Sequence, residues 1–342
     1  MSDNVQQLDL DKLGTYLEAN GSEIKGIKSA KKFAGGQSNP TFLLEAETGR
    51  YVLRRQPPGK LLKSAHAVDR EYRVIRALAD SDVPVPKTYL LCEDPDVVGS
   101  MFYMMDFVDG QIYWDPKLPE LDNAQRSHVY SQMNQVLASI HNVDLEAAGL
   151  SDYGRPGNYF ARQVSLWTKQ YRASETEHIE EMEQLISWIE ANVPEDDGRV
   201  ALVHGDYRLD NIMFSKSDLQ AITVLDWELS TLGHPFADIA YQCTMLRLSQ
   251  DSPIPGLQGI DRQSLGIPTE EEYVADYCKR TGISGIDNWH FYLAFSLLRA
   301  AGIAQGVQKR ALGGNASSKM ALAVGAMVRP AAVMALDIIE QG

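Results

Sequence analysis

Cysteine is scarce and scattered: Cys92, Cys243 and Cys278 are the only 3 in 342 residues. An odd number at wide spacing sets up neither a disulfide framework nor a metal-binding pair, so a reducing, cytoplasmic setting is expected. Basic charge is also short, with 32 Lys and Arg against 46 Asp and Glu and a formal net charge of −14. That deficit argues against a nucleic-acid backbone or an anionic membrane as partner, since either needs a net basic face. Long uninterrupted apolar runs are missing too. Arg299 breaks the stretch 289–304 and Arg329-Pro330 breaks the stretch 320–336, so neither reads as a membrane span. The opening Met-Ser-Asp-Asn-Val-Gln-Gln lacks the basic-then-apolar pattern of a secretory signal. Internal repeats and low-complexity segments are absent. So is a Gly-x-x-x-x-Gly-Lys-Ser/Thr loop, which argues against a P-loop nucleotide site.

What is present suits a large core. Hydrophobic residues make up 44% and charged residues 23%, near the globular average. The length allows two domains or one large one. The first third reads as strands around one helix: 27–33, a hairpin of 41–47 and 51–55, a helix over 65–79, then strands at 87–92 and 101–106. The remainder reads as mainly helical, with helices over 123–143, 174–192, 236–248, 270–281, 289–310 and 317–340. Ser174 and Glu177 have capping-box spacing at the head of the second of these. Short apolar runs at 200–203, 212–214 and 221–225 read as buried strands. The expected division is α+β: a β-rich lobe over 1–106 and a helical lobe over 107–342, hinged near 105–110.

The most informative stretch is His204-Gly205-Asp206-Tyr207-Arg208-Leu209-Asp210-Asn211, followed by Asp226-Trp227-Glu228 at the end of an apolar run. If 211–214 pairs antiparallel with 221–226, Asn211 and Asp226 converge at one edge, facing the loop that carries Asp206. A carboxylate beside a carboxamide suits Mg²⁺. A second carboxylate nearby suits proton acceptance from a hydroxyl. Together they describe phosphoryl transfer from ATP to a small-molecule hydroxyl. In the first third, Glu71 falls on the apolar stripe of Val68, Tyr72, Ile75 and Leu78, so it needs a partner. Arg54 or Arg55 is the candidate, and strand alternation allows only one of them. Gly36, Gln37, Ser38 and Asn39 lie between two strands, where backbone N–H groups could meet phosphate.

His204-Gly205-Asp206 with Asn211, and Asp226-Trp227-Glu228, resemble the motifs of the aminoglycoside phosphotransferase and choline-kinase group. The resemblance implies a bilobal protein-kinase-like fold with the ATP site between unequal lobes. It implies Asp206 as catalytic base, Asn211 and Asp226 as Mg²⁺ ligands, and Arg54 with Glu71 in place of the kinase lysine–glutamate pair. It makes His204 a loop brace, Asp238 a structural carboxylate, and the Asp106 carbonyl and Val108 N–H the adenine contacts. Tyr153 to Gln163, Trp167 to Tyr171, Tyr51 to Gly59, Val68 to Tyr72 and Leu232 to Pro235 are similar to the branch fused, in animals and fungi, to an acyl-CoA dehydrogenase. In that branch Arg replaces the strand lysine. The branch implies a hydroxyacyl-CoA acceptor, for which Arg155, Arg162, Lys169 and Arg172 offer a basic cluster and Tyr159, Trp114 and Trp167 an apolar slot. Glu228 joins these as a substrate candidate. Two other readings stay open: an antibiotic kinase acting on aminoglycosides, and a non-catalytic nucleotide sensor.

Overall fold

The computed structural model describes residues 8–33, 39–57, 66–313 and 319–342. Gly36, Gln37 and Ser38 lie outside the described residues. In chain order the elements are α1 (Leu10–Ala19), β1 (Ile27–Lys32), β2 (Thr41–Ala46), β3 (Gly49–Arg55), α2 (Val68–Ala77), β4 (Thr88–Cys92), α3 (Pro95–Val98), β5 (Phe102–Asp106), α4 (Asn123–His141), α5 (Tyr159–Ser174), α6 (Glu180–Ala191), β6 (Ala201–Val203), β7 (Ile212–Phe214), β8 (Ala221–Val224), β9 (Thr231–Gly233), α7 (Phe236–Arg247), α8 (Glu270–Thr281), α9 (Trp289–Leu312), α10 (Lys319–Gly325) and α11 (Val328–Gln341).

These form two compact units that interleave along the chain. One comprises 1–111, 146–150 and 212–230; the other comprises 112–145, 151–211 and 231–342. A single cut at 106/107 divides the chain by position, whereas the compact units divide it by packing. The first unit is therefore the β-rich lobe with two later segments added.

In the first unit, five antiparallel strands run in the order β1-β2-β3-β5-β4. Leu44, Leu53, Phe102 and Met104 alternate onto one face and bury against Leu13 and Leu17 of α1. The hairpin β7–β8 belongs to the same unit, with Ile212 opposite Val224. Gly110 lies where the chain presses on β7, and a Cβ there would come within 2.4 Å of Met213 Cγ and 2.8 Å of the Phe214 carbonyl. Only glycine fits that approach.

The second unit is helical. The apolar interior of α9, from Phe291 to Leu298 with Ala301, is buried. Capping boxes start α4 (Asp122 with Gln125) and α8 (Thr269 with Glu272). The capping box expected at Ser174 is not formed. Ser174 ends α5, and its hydroxyl donates back to the Gln170 and Tyr171 carbonyls. The next helix starts six residues later, with Glu180, Glu181 and Glu183 in its first turn, where carboxylates suit the helix dipole. The helix expected over 317–340 is two helices, α10 and α11, with a break at 326–327. The segment Ala321–Gln341 is long and apolar enough to cross a membrane by length and composition. Val328, Ala331, Ala332, Ala335 and Ile338 form one buried face of α11, and about a third of the apolar window is buried.

Candidate active site

The residues marked in the sequence fall into two groups, each held within one unit. The first is built on β3 and α2. Strand alternation sends Arg54 and Arg55 to opposite faces. Arg55 is buried beside Phe42 and donates to the Val98 carbonyl. Arg54 turns the other way: its Nε lies 2.7 Å from Glu71 Oε2, and its Nη2 lies 2.6 Å from Asp226 Oδ1 and 4.0 Å from Glu228 Oε2. One guanidinium thus meets three carboxylates. Burial works against the Arg54 charge, but Glu71, Asp226 and Glu228 outweigh it and hold the group cationic.

Glu71 is 1% exposed. Burial pushes its carboxyl up from 4.5 to about 7, with Arg54 pulling the other way. A raised carboxyl contributes stability that is complete below the unfolded value and is lost as pH rises through the folded one. Between pH 4.5 and about 7, wild-type Tm should therefore fall relative to Glu71→Gln, which cannot titrate. Paired thermal melts across that range check this, and a flat difference would mean that Glu71 titrates normally.

Asp226 sits two residues beyond β8 with φ of 63°, an uncommon conformation for a residue with a side chain. Such backbone costs of order 1–3 kcal/mol and persists where its surroundings hold it. Here the fully buried Trp227 donates to the Val224 carbonyl at 3.1 Å, and the Ser230 hydroxyl caps the Trp227 carbonyl at 2.6 Å. Glu228 follows on the same short turn and accepts from Asn39 Nδ2 at 3.4 Å. The structure therefore groups Glu228 with Arg54 and Asn39. The Asp106 carboxylate accepts from the Tyr89 hydroxyl at 2.5 Å, and its N–H pairs with the Lys87 carbonyl. The Val108 N–H meets no backbone carbonyl among the described residues.

The second group surrounds the loop after β6. Gly205 has φ of 84°, which glycine adopts without strain. The fully buried His204 accepts the Asp206 N–H at its Nδ1, at 3.2 Å, so it braces the turn. Asp238, on α7 and 1% exposed, accepts the N–H groups of His204 at 2.6 Å and Gly205 at 2.9 Å and lies 3.4 Å from His141 Nε2. Burial alone would raise its carboxyl, but His141, His204 and the backbone N–H groups together hold it below the usual range. Asp206 emerges from this frame with both carboxylate oxygens engaged. Oδ2 accepts from Asn211 Nδ2 at 3.0 Å, and Oδ1 accepts from the Tyr241 hydroxyl at 2.6 Å. Asn211 Nδ2 also donates to the Asp206 carbonyl, which leaves the Asn211 side-chain oxygen as its free ligand end.

Tyr241 was not singled out in the sequence, nor was Arg299 beyond its breaking an apolar run. Arg299 lies over the rings of Tyr241 and Trp167, at 5.2 and 5.6 Å, and donates to the Gly205 carbonyl. The available signals were the spacing of Tyr241, one turn after Asp238, and the one Lys or Arg in the apolar stretch 289–304.

The expected basic cluster is only partly available. Arg172 is paired with Glu183 and Glu175. Arg162 donates to the carbonyls of Arg155 and Pro156 at 2.6 and 3.3 Å, tying down the entry to α5. Arg155 and Lys169 are exposed. Tyr159 packs against Gly233, and burial raises its hydroxyl to about 12. Trp167 is half-buried, donating to Gln163 at 3.1 Å. Trp114 is 71% exposed.

A five-stranded lobe with a buried strand-to-helix ion pair, and a helical lobe carrying a braced His-Gly-Asp loop, define a kinase-like phosphotransferase fold. Residues 29–291 match the phosphotransferase enzyme family model, and the chain belongs to that family. It is 48% identical over 96% of its length to mouse (Mus musculus) acyl-CoA dehydrogenase family member 10, and 40% identical over 95% to rat (Rattus norvegicus) acyl-CoA dehydrogenase family member 11. It spans only 31% and 42% of those two proteins. A Ralstonia eutropha JMP134 structure with an aminoglycoside-phosphotransferase designation shares 45% identity at a TM-score of 0.91, over 98% of this chain and 99% of the other.

Proposed function

We propose that this chain transfers the γ-phosphoryl group of ATP, with Mg²⁺, to a hydroxyl of a hydroxyacyl-CoA. The Asp206–Asn211 pair carries the reading: a carboxylate and a carboxamide 3.0 Å apart, on a loop braced from below by Asp238. Asp206 accepts the hydroxyl proton, the freed oxygen bonds to phosphorus, and the bond to the ADP oxygen breaks. Arg54 holds phosphate oxygens, for which its planar fork is suited. Val108 N–H and the Asp106 carbonyl are assigned to adenine, and Asn39 to the phosphate side.

The donor set suits a divalent cation. Three carboxylates around one guanidinium leave a local excess of negative charge, and Asp226 is partly exposed. Asp226 and the Asn211 carbonyl oxygen are the hard ligands assigned to Mg²⁺. The ion would neutralise charge on the phosphates.

The names of the mouse and rat relatives support the acyl-CoA acceptor. Arg155 and Lys169, with Tyr159 and Trp167, are assigned to that acceptor, and Arg162 to shaping the loop. The net charge of −14 and the Ralstonia designation favour a second reading, a polycationic aminoglycoside. A panel of 4-hydroxyacyl-CoAs and aminoglycosides, read by phosphorylated-product mass, separates the two. Product should form with the acyl-CoAs, and modification of aminoglycosides alone would sink the first reading.

A further inference from the structure

We infer that Tyr241 is a positioning residue for phosphotransfer: its hydroxyl fixes the rotation of the Asp206 carboxylate, so that the proton-accepting oxygen faces the acceptor. This rests on the role proposed for Asp206. The geometry is specific. A carboxylate held on one oxygen swings about its Cβ–Cγ bond, because that torsion is soft and roughly two-fold. Here different donors hold the two oxygens. Asn211, five residues along the same loop, takes Oδ2 at 3.0 Å, and Tyr241, from another element, takes Oδ1 at 2.6 Å. Arg208 Nε also lies 3.3 Å from Oδ1, so the lone-pair direction open to the incoming hydroxyl is on Oδ2.

The phenol is itself held. Tyr241 is buried on α7, three residues after Asp238, so one helix face grips the loop at His204, Gly205 and Asp206 together. Arg299 covers the ring 5.2 Å from its centroid while donating to the Gly205 carbonyl, so α9 locks the same loop from a second direction. Burial, and then the Asp206 charge, push the hydroxyl well above its ordinary range, which keeps it a donor.

A loosened carboxylate still accepts protons, but it no longer selects the acceptor's hydroxyl over water. Misplacement by about 1 Å costs up to 10²-fold in rate. Tyr241→Phe in the full chain removes the donor and keeps the ring against Arg299. With Mg·ATP and 4-hydroxypentanoyl-CoA, kcat should fall on the order of tenfold. KM for ATP should stay within about twofold, since uniform binding is untouched. The ratio of ATP consumed to acyl-CoA phosphorylated should rise. That ratio does not depend on how much of the variant is folded. An unchanged kcat, or a lower kcat with the wild-type ratio, overturns the inference, and the latter result with a lowered Tm marks a purely structural contact. If wild type phosphorylates no acyl-CoA yet hydrolyses Mg·ATP, the acceptor reading fails alone. Tyr241 is then judged by hydrolysis, where a loss on the order of tenfold in kcat at constant KM supports its role and no loss refutes it. If wild type does neither, the phosphotransfer reading fails and the inference fails with it.

Discussion

Replacing Asp206 by Asn is expected to lower the phosphotransfer rate by about 10²- to 10⁴-fold, the usual contribution of a positioned general base. Mg·ATP binding should stay within about twofold. Asn is nearly isosteric, and the contact it gives up is the ion pair with Arg208, whose Nε lies 3.3 Å from Oδ1. The new side-chain oxygen can take the Asn211 donor, and the Tyr241 hydroxyl can turn to accept from the new amide. What disappears is the capacity to take up a proton. Turnover in a coupled ADP assay and Mg·ATP binding by calorimetry measure the two quantities separately. Full activity would mean that another group is the base, and loss of nucleotide binding would mean that the substitution disturbs more than proton transfer.

The largest stability effect should come from Asp238→Ala. That change removes the acceptor of two buried N–H groups, on His204 and Gly205, together with a neighbour of His141. Breaking a buried charge network by deleting one member costs about 3–5 kcal/mol. Asp238→Asn, which keeps one oxygen, should cost less. Urea unfolding gives the energies, and hydrogen exchange over 203–211 should show the loop opening before the rest of the unit. A loss below about 1 kcal/mol would place the strength of the loop elsewhere.

Much of this was legible locally. The His-Gly-Asp spacing, the Asp-Trp-Glu run and a carboxylate on an apolar helix stripe all mark themselves in the sequence. Alternation alone left the choice between Arg54 and Arg55 open, because it gives two faces and does not say which meets α2; the resemblance pointed to Arg54, the one that meets Glu71. Ser174 misled because its hydroxyl can cap a helix beginning or bond back into a helix ending. Tyr241 was hidden for a different reason. An aromatic in an apolar helix looks like core, and its hydroxyl partner is 35 residues away. Glu228 was read with the acceptor, since the spacing does not show which side of the short turn faces Arg54.

The guanidinium shared by Glu71 and Asp226 also has a thermodynamic consequence. Asp226 holds a cation belonging to the protein, Arg54, 2.6 Å away. A divalent ion arriving by itself competes with that internal counter-ion. A nucleotide that draws the Arg54 fork toward its phosphates releases Asp226, so each ligand removes an obstacle to the other. If the chain uses both ligands as proposed, reciprocity makes positive heterotropic linkage between them the expected result. Free Mg²⁺ and free ATP should each associate weakly, and the order in which they are mixed with the protein should not alter the final occupancy.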